Sequence, residues 1–127
     1  MGYSLCGSLG VAVAHGDEKV VVVCGDGDVQ MVIQELATIR EYDLNISIFV
    51  LNNSQLGVIR QWEETIYDFD RYQVDLKNPD FVKIAEAYDL FAVRVTKKDE
   101  LIPAIKQAVA HNGTAIVDIK IDSFEEI

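Results

Sequence analysis

The feature that most constrains this chain is a run of apolar, mostly β-branched residues at positions 20–24 that stops at Gly25-Asp26-Gly27. Such a run shows no alternation, which predicts a strand covered on both faces. From Val29 onward the apolar positions Val29, Val32, Ile33, Leu36, Ala37 and Ile39 change to helical spacing, predicting a helix to about Glu41 with Asp28 as its N-cap. Residues 46–51 form a second apolar run, closed by Asn52-Asn53. Twenty-four residues separate Gly27 from Asn52, room for one helix and one return strand. The acidic turn and the amide pair should therefore emerge side by side at the carboxyl edge of a parallel sheet, where open α/β sheets bind ligands.

The remaining pattern continues the alternation of strands and helices. Residues 5–14 read as a first helix stopped by His15-Gly16. Asn78-Pro79 reads as a helix start, with Asn78 as cap and the helix running to about Tyr88. Residues 90–95 and 114–121 read as strands, and 99–111 as a helix between them that begins near Glu100 to accommodate Pro103. The fold expected is α/β: a doubly wound parallel sheet sandwiched by helices, a single domain over residues 1–127.

A strand that turns through glycines into a helix leaves unpaired N–H groups facing outward with the positive end of the helix dipole behind them, a phosphate-binding arrangement. A carboxylate and an amide oxygen beside it suit magnesium or calcium bridging a diphosphate, because hard cations share oxygen ligands with phosphates. Gly-Asp-Gly and Asn-Asn are each common turn sequences, and two ordinary turns are the plain alternative. A nicotinamide-binding G-x-G-x-x-G reading fits less well, since Gln30 stands at the third glycine.

Composition narrows the partners. A net charge of −10 opposes binding to nucleic acid or to an anionic membrane surface. The apolar runs are strand-length, far short of a membrane span. Cys6 and Cys24 lack C-x-x-C spacing and are read as reduced core thiols of a cytoplasmic protein. His15 and His111 fall at helix ends, where a structural role outweighs catalysis. The irregular stretch 62–77, with Tyr67, Phe69 and Tyr72, is either a lid over the site or a surface loop with its aromatics tucked on the core.

The pattern GDG followed some twenty-five residues later by NN resembles the diphosphate-binding motif of thiamine-diphosphate enzymes. The stretches MGYSLCGSLGVAVA, GDGDVQMVIQELATI, VLNNSQLGVIRQW and NPDFVKIAEAYDL are similar to the carboxyl-terminal cofactor domain of the acetolactate synthase catalytic subunit. The resemblance implies magnesium ligated by the Asp26 carboxylate, the Asn53 side-chain oxygen and the Gln55 main-chain carbonyl. It implies thiamine diphosphate contacts from Gly25, Gly27 and Asp28, loop closure by Leu56 and Gly57, and support of the cofactor by Met1 and Gly2. Val58, Ile59 and Trp62 match positions on the substrate approach. Asp28 stands where a small serine is usual, so its N–H is expected to serve the diphosphate while its carboxylate caps the helix.

The implied activity is decarboxylation of pyruvate and carboligation to a second 2-oxoacid, with no catalytic acid or base in this chain. Activation would come from a pyrimidine-binding domain or subunit, so 127 residues imply an excised domain or one chain of a split enzyme that works as a homo- or hetero-oligomer. Another thiamine-diphosphate decarboxylase, a glyoxylate carboligase and a non-catalytic isolated module remain alternatives.

Overall fold

The computed structural model describes residues 1–122, so the last five positions of the expected 1–127 span lie outside the described residues. Helix α1 (Tyr3–His15) leads into strand β1 (Val20–Gly25), followed by α2 (Asp26–Gln30), α3 (Glu35–Glu41) and β2 (Ile46–Asn52). Then come α4 (Gly57–Thr65), α5 (Phe81–Ala87), β3 (Phe91–Val95), α6 (Lys98–Ala110) and β4 (Ala115–Lys120). The four strands form one parallel sheet in the order β1-β2-β4-β3.

Crossovers between parallel strands are right-handed, so the direction of travel along the sheet decides which face a helix covers. The steps from β1 to β2 and from β2 to β3 run one way, and the return from β3 to β4 runs the other. One face accordingly carries Leu5, Leu9, Leu36, Ile39, Phe81 and Ala85 from α1, α3 and α5, packed on Val22, Ile46, Ile48 and Ile116. The opposite face carries Ala104 and Ala108 of α6 against Phe49, Ala115, Val117 and Ile119. The doubly wound, helix-sandwiched sheet expected from the sequence is the one observed.

Several local expectations are corrected. β1 is covered on one face only: Val21 and Val23 are half exposed, because α6 lies over the other three strands and stops short of this edge. The helix expected from Val29 to Glu41 begins at Asp26 and splits in two, with residues 31–34 in turns. There the N–H groups of Val32, Glu35, Leu36 and Ala37 bond three residues back, the tighter winding that accommodates the adjacent β-branched Val32 and Ile33. Cys24 is buried as expected, but Cys6 is exposed on the outward side of α1.

α5 is capped by Asp80, whose carboxylate accepts from the N–H groups of Val82 and Lys83, and not by Asn78. α6 begins at Lys98 and runs through Pro103, not from Glu100. Proline forfeits one bond early in that helix, while Glu100 reaches back to accept from the N–H groups of Thr96 and Lys97. His15 ends α1, and His111 ends α6 with its ring stacked on Phe91 at 4.7 Å.

Ile48 is fully buried at the centre of β2, so Ile48→Ala is expected to lower the unfolding free energy by about 2–5 kcal/mol. Val21→Ala, at the uncovered edge, should cost no more than about 1 kcal/mol. Chemical denaturation of the two variants against the parent chain checks the contrast.

Candidate functional site

At the carboxyl ends of β1 and β2 the chain parts into two loops around a cavity of about 290 Å³. Its lining includes Met1, Gly25, Asp26, Gly27, Asp28, Asn53, Gln55, Leu56, Gly57, Val58 and Ile59. Of the residues singled out in the sequence, Gly2 and Trp62 are the two that do not line it.

Asp26 is 2% exposed. Its Oδ1 accepts from the Gly27 N–H at 2.8 Å, and its Oδ2 accepts from the Ser54 N–H at 2.7 Å and from Asn78 Nδ2. Asn53, also buried, accepts the Gln55 N–H on Oδ1 at 3.0 Å. Gln55 forms an isolated antiparallel bridge with Asp75, flanked by bonds from Leu56 N–H to the Val74 carbonyl and from Leu76 N–H to the Ser54 carbonyl. In such a pair the bridged residue's own N–H and C=O point away from the partner strand, which turns the Gln55 main chain toward Asn53. Its side chain is held elsewhere: Nε2 donates to Asp75 and Oε1 accepts from Arg60.

The glycines divide the work of the turn. A Cβ on Gly25 would meet nothing within 4 Å, so this backbone is open to the cavity. A Cβ on Gly27 would sit 2.7 Å from Leu56 Cδ2 and 3.2 Å from Leu76 Cδ1, so Gly27 permits the two loops to close on one another.

Asp28 departs from expectation. The helix begins three residues earlier than the sequence suggested, with Gly25 as its cap, and Asp28 falls inside it. Its Oδ1 instead accepts the Gly2 N–H, while Oδ2 is buried without a hydrogen-bond partner. Gly2 itself is left-handed at φ 78, and a Cβ there would meet Val32 Cγ1 at 2.9 Å. Asp28 thus ties the Met1-Gly2 turn to the acidic loop.

Sequence reasoning missed Asn78. It assigned the residue to a helix cap, yet its Nδ2 donates to Asp26 Oδ2 and Asn52 Oδ1, and its Oδ1 accepts from Gln30. The signal was present: in Asn78-Pro79-Asp80 only one residue can cap, and Asp80 stands directly before the apolar Phe81. Buried Arg60 on α4 was missed as well, reaching Gln55 at 2.9 Å from the cavity wall.

α4 places Val58 half exposed and Trp62 46% exposed on its outer side, with Ile59 less so. In the stretch 62–77, Val74 is buried and residues 74–76 are bonded to the Asn53-side loop. Tyr67, Phe69 and Tyr72 are all exposed, which overturns the reading that these aromatics pack on the core.

The donor set fits a hard divalent cation. Among the described residues, neither Asp26 nor Asp28 has an ion-pair partner, and no three His, Cys, Asp or Glu side chains cluster as a metal site. A cation here would rely on one carboxylate with amide and carbonyl oxygens, the ligands magnesium and calcium accept. The open Gly25 backbone beside them leaves room for a phosphate group.

Parallel sheet, glycine turn at a strand end and oxygen donors across a cavity define an α/β cofactor-binding domain. The family model described as "Thiamine pyrophosphate enzyme, C-terminal TPP binding domain" matches residues 1–119, and the chain belongs to that family. The acetolactate synthase large subunit of Haemophilus influenzae is 38% identical over all of this chain and 22% of its own length. Acetolactate synthase 2, chloroplastic, of Zea mays is 42% identical over all of this chain and 21% of its own length. A solved structure of the Rhodococcus jostii RHA1 thiamine diphosphate-dependent 4-hydroxybenzoylformate decarboxylase superposes with a TM-score of 0.89 at 25% identity, covering all of this chain and 24% of that one. The chain therefore spans about a fifth of the curated relatives it matches. Among the described residues, no helix is long and apolar enough to cross a membrane.

Burial, then the Asp28 carboxylate, then that of Asp26, push the Cys24 thiol up from 9.0 to about 12. The folded state favours the neutral thiol, so this contribution to stability is complete below pH 9 and is lost as pH rises toward 12. Denaturation at stepped pH should show this decline, and Cys24→Ser should flatten it. At pH 8 a thiol reagent should modify exposed Cys6 rapidly and Cys24 only on unfolding.

Proposed function

We propose that this domain holds the diphosphate of thiamine diphosphate through a magnesium ion bound by Asp26, Asn53 and the main-chain carbonyl of Gln55. The observation that carries this reading is a buried carboxylate, without a cationic partner among the described residues, beside a glycine backbone open to the cavity. Gly25, Gly27 and Asp28 would offer main-chain contacts to the diphosphate, Leu56 and Gly57 would close the loop, and Met1 with Gly2 would support the cofactor from the adjoining turn.

The whole enzyme is proposed to be an acetolactate synthase-like transferase of branched-chain amino acid biosynthesis, cytoplasmic and oligomeric, acting on pyruvate and a second 2-oxoacid. When bound, thiamine diphosphate supplies the carbon nucleophile and the electron sink for 2-oxoacid decarboxylation and carboligation. This chain's residues bind and orient: α4 offers Val58, Ile59 and Trp62 to the second substrate, and none acts as a general acid or base. A pyrimidine-binding domain or subunit is required for turnover.

Titration calorimetry should show thiamine diphosphate binding that depends on magnesium and weakens more than tenfold in Asp26→Ala, about the loss expected for a metal site. Gly25→Ala should fold as the parent does yet lose affinity, because its methyl enters the space left for phosphate. Binding indifferent to magnesium and to Asp26, with a pyrimidine-binding partner present, would sink the assignment.

The solved decarboxylase favours a second reading, a decarboxylase without carboligation. Replacing Trp62 by leucine in the assembled enzyme should change its preference between pyruvate and 2-ketobutyrate as second substrate. An unchanged preference would undercut the synthase reading, and release of the free aldehyde with no 2-acetohydroxy acid from the parent enzyme would favour the decarboxylase.

A further inference from the structure

The face of the sheet covered by α1, α3 and α5 carries a chain of polar side chains that runs from the partly exposed Arg94 to Asp26. Arg94 on β3 donates through Nε to Asp118 Oδ2 at 2.9 Å and through Nη2 to Asp80, the cap of α5. Asp118 Oδ1 accepts from Asn52 Nδ2 at 2.7 Å, Asn52 Oδ1 accepts from Asn78 Nδ2 at 2.8 Å, and Asn78 Nδ2 donates to Asp26 Oδ2. Asp118 and Asn52 are each 1% exposed.

The direction of this chain is determined at one end. An ionised carboxylate only accepts, whereas an asparagine amide can turn either way. Asp118 is ion-paired to Arg94, so Asn52 presents its nitrogen to Asp118 and its oxygen to Asn78. Asn78, with its own oxygen held by Gln30 at 2.6 Å, must then present its nitrogen to Asp26. Reversal of Asn52 would aim an oxygen at the Asp118 carboxylate, and reversal of Asn78 would aim one at the Asp26 carboxylate. In the observed sense Oδ2 of Asp26 is occupied by two N–H donors and Oδ1 by one, which leaves Oδ1 the oxygen with a lone pair to spare.

We propose that Asp118 is a positioning residue for the cation site, acting through Asn52 and Asn78 to orient the Asp26 carboxylate. It rests on the magnesium reading above. Partners that orient a metal ligand contribute 10–100-fold to affinity in general, about the size expected here.

The test is Mn²⁺ affinity, read by electron paramagnetic resonance, in the full enzyme carrying this domain and saturated with thiamine diphosphate. Asn78→Ala, at a half-buried loop position that leaves the core intact, should raise the Mn²⁺ Kd about 10–100-fold. Asp118→Asn should do the same, and the double variant should bind no more weakly than either single one, because both remove one pathway. If Asp118→Asn does not fold, Arg94→Gln takes its place in the cycle. Wild-type affinity in Asn78→Ala, or losses that multiply in the double variant, would overturn the proposal while leaving the magnesium reading intact. Failure of the wild-type enzyme to bind Mn²⁺, or binding untouched by Asp26→Ala, would overturn both.

Discussion

Burying an ionised carboxylate is costly unless donors replace the lost water, and Asp26 is the point at which this chain meets that requirement. Three N–H groups supply it: those of Gly27 and Ser54 from the main chain, and the amide of Asn78. They come from three separate segments, so the position of Asp26 depends on the β1–α2 turn, the β2–α4 loop and the segment before α5 arriving together. Those donors replace water at the carboxylate, and no cation among the described residues pairs with it. That unpaired carboxylate, more than any single motif, is the observation on which the proposed metal site rests.

The sheet order explains why the site lies where it does. β1 and β2 are neighbours, and both of their following segments leave from the carboxyl edge. The loop after β2 is then held down by the bridge between Gln55 and Asp75, which directs the Gln55 side chain to Asp75 and Arg60 and its main chain toward the site. Gly27 matters to this closure for a steric reason, since the Leu56 and Leu76 side chains occupy the space a Cβ would need. The site is therefore built from backbone approach as much as from ligand chemistry.

The same architecture leaves one edge incomplete. α6 covers β2, β4 and β3, and the outer face of β1 keeps Val21 and Val23 in contact with solvent. A run of five apolar residues states only that a strand is compatible with burial on both sides. Whether both sides are covered depends on where the helices fall, and a helix from a distant part of the chain decides it.

Local pattern made most of the fold legible. Apolar runs ending in glycine or asparagine marked β1 and β2, helical spacing marked α1, α5 and α6, and the interval between Gly27 and Asn52 brought the acidic turn beside the amide pair. These are properties of period and chain length, which sequence carries directly. The family resemblance supplied the ligand roles now proposed, which spacing alone left open. Tertiary structure alone decided the partners of ambiguous polar groups. Asp28 and Asn78 are both good helix caps by residue type, and each was diverted: Asp28 to the Gly2 N–H, Asn78 to Asp26 and Asn52. A capping side chain gains one or two local bonds, and a buried carboxylate or an unsatisfied N–H brought close by the fold competes for the same atoms. That competition is settled by distances between residues 26 and 52 positions apart in the chain, which no local window contains.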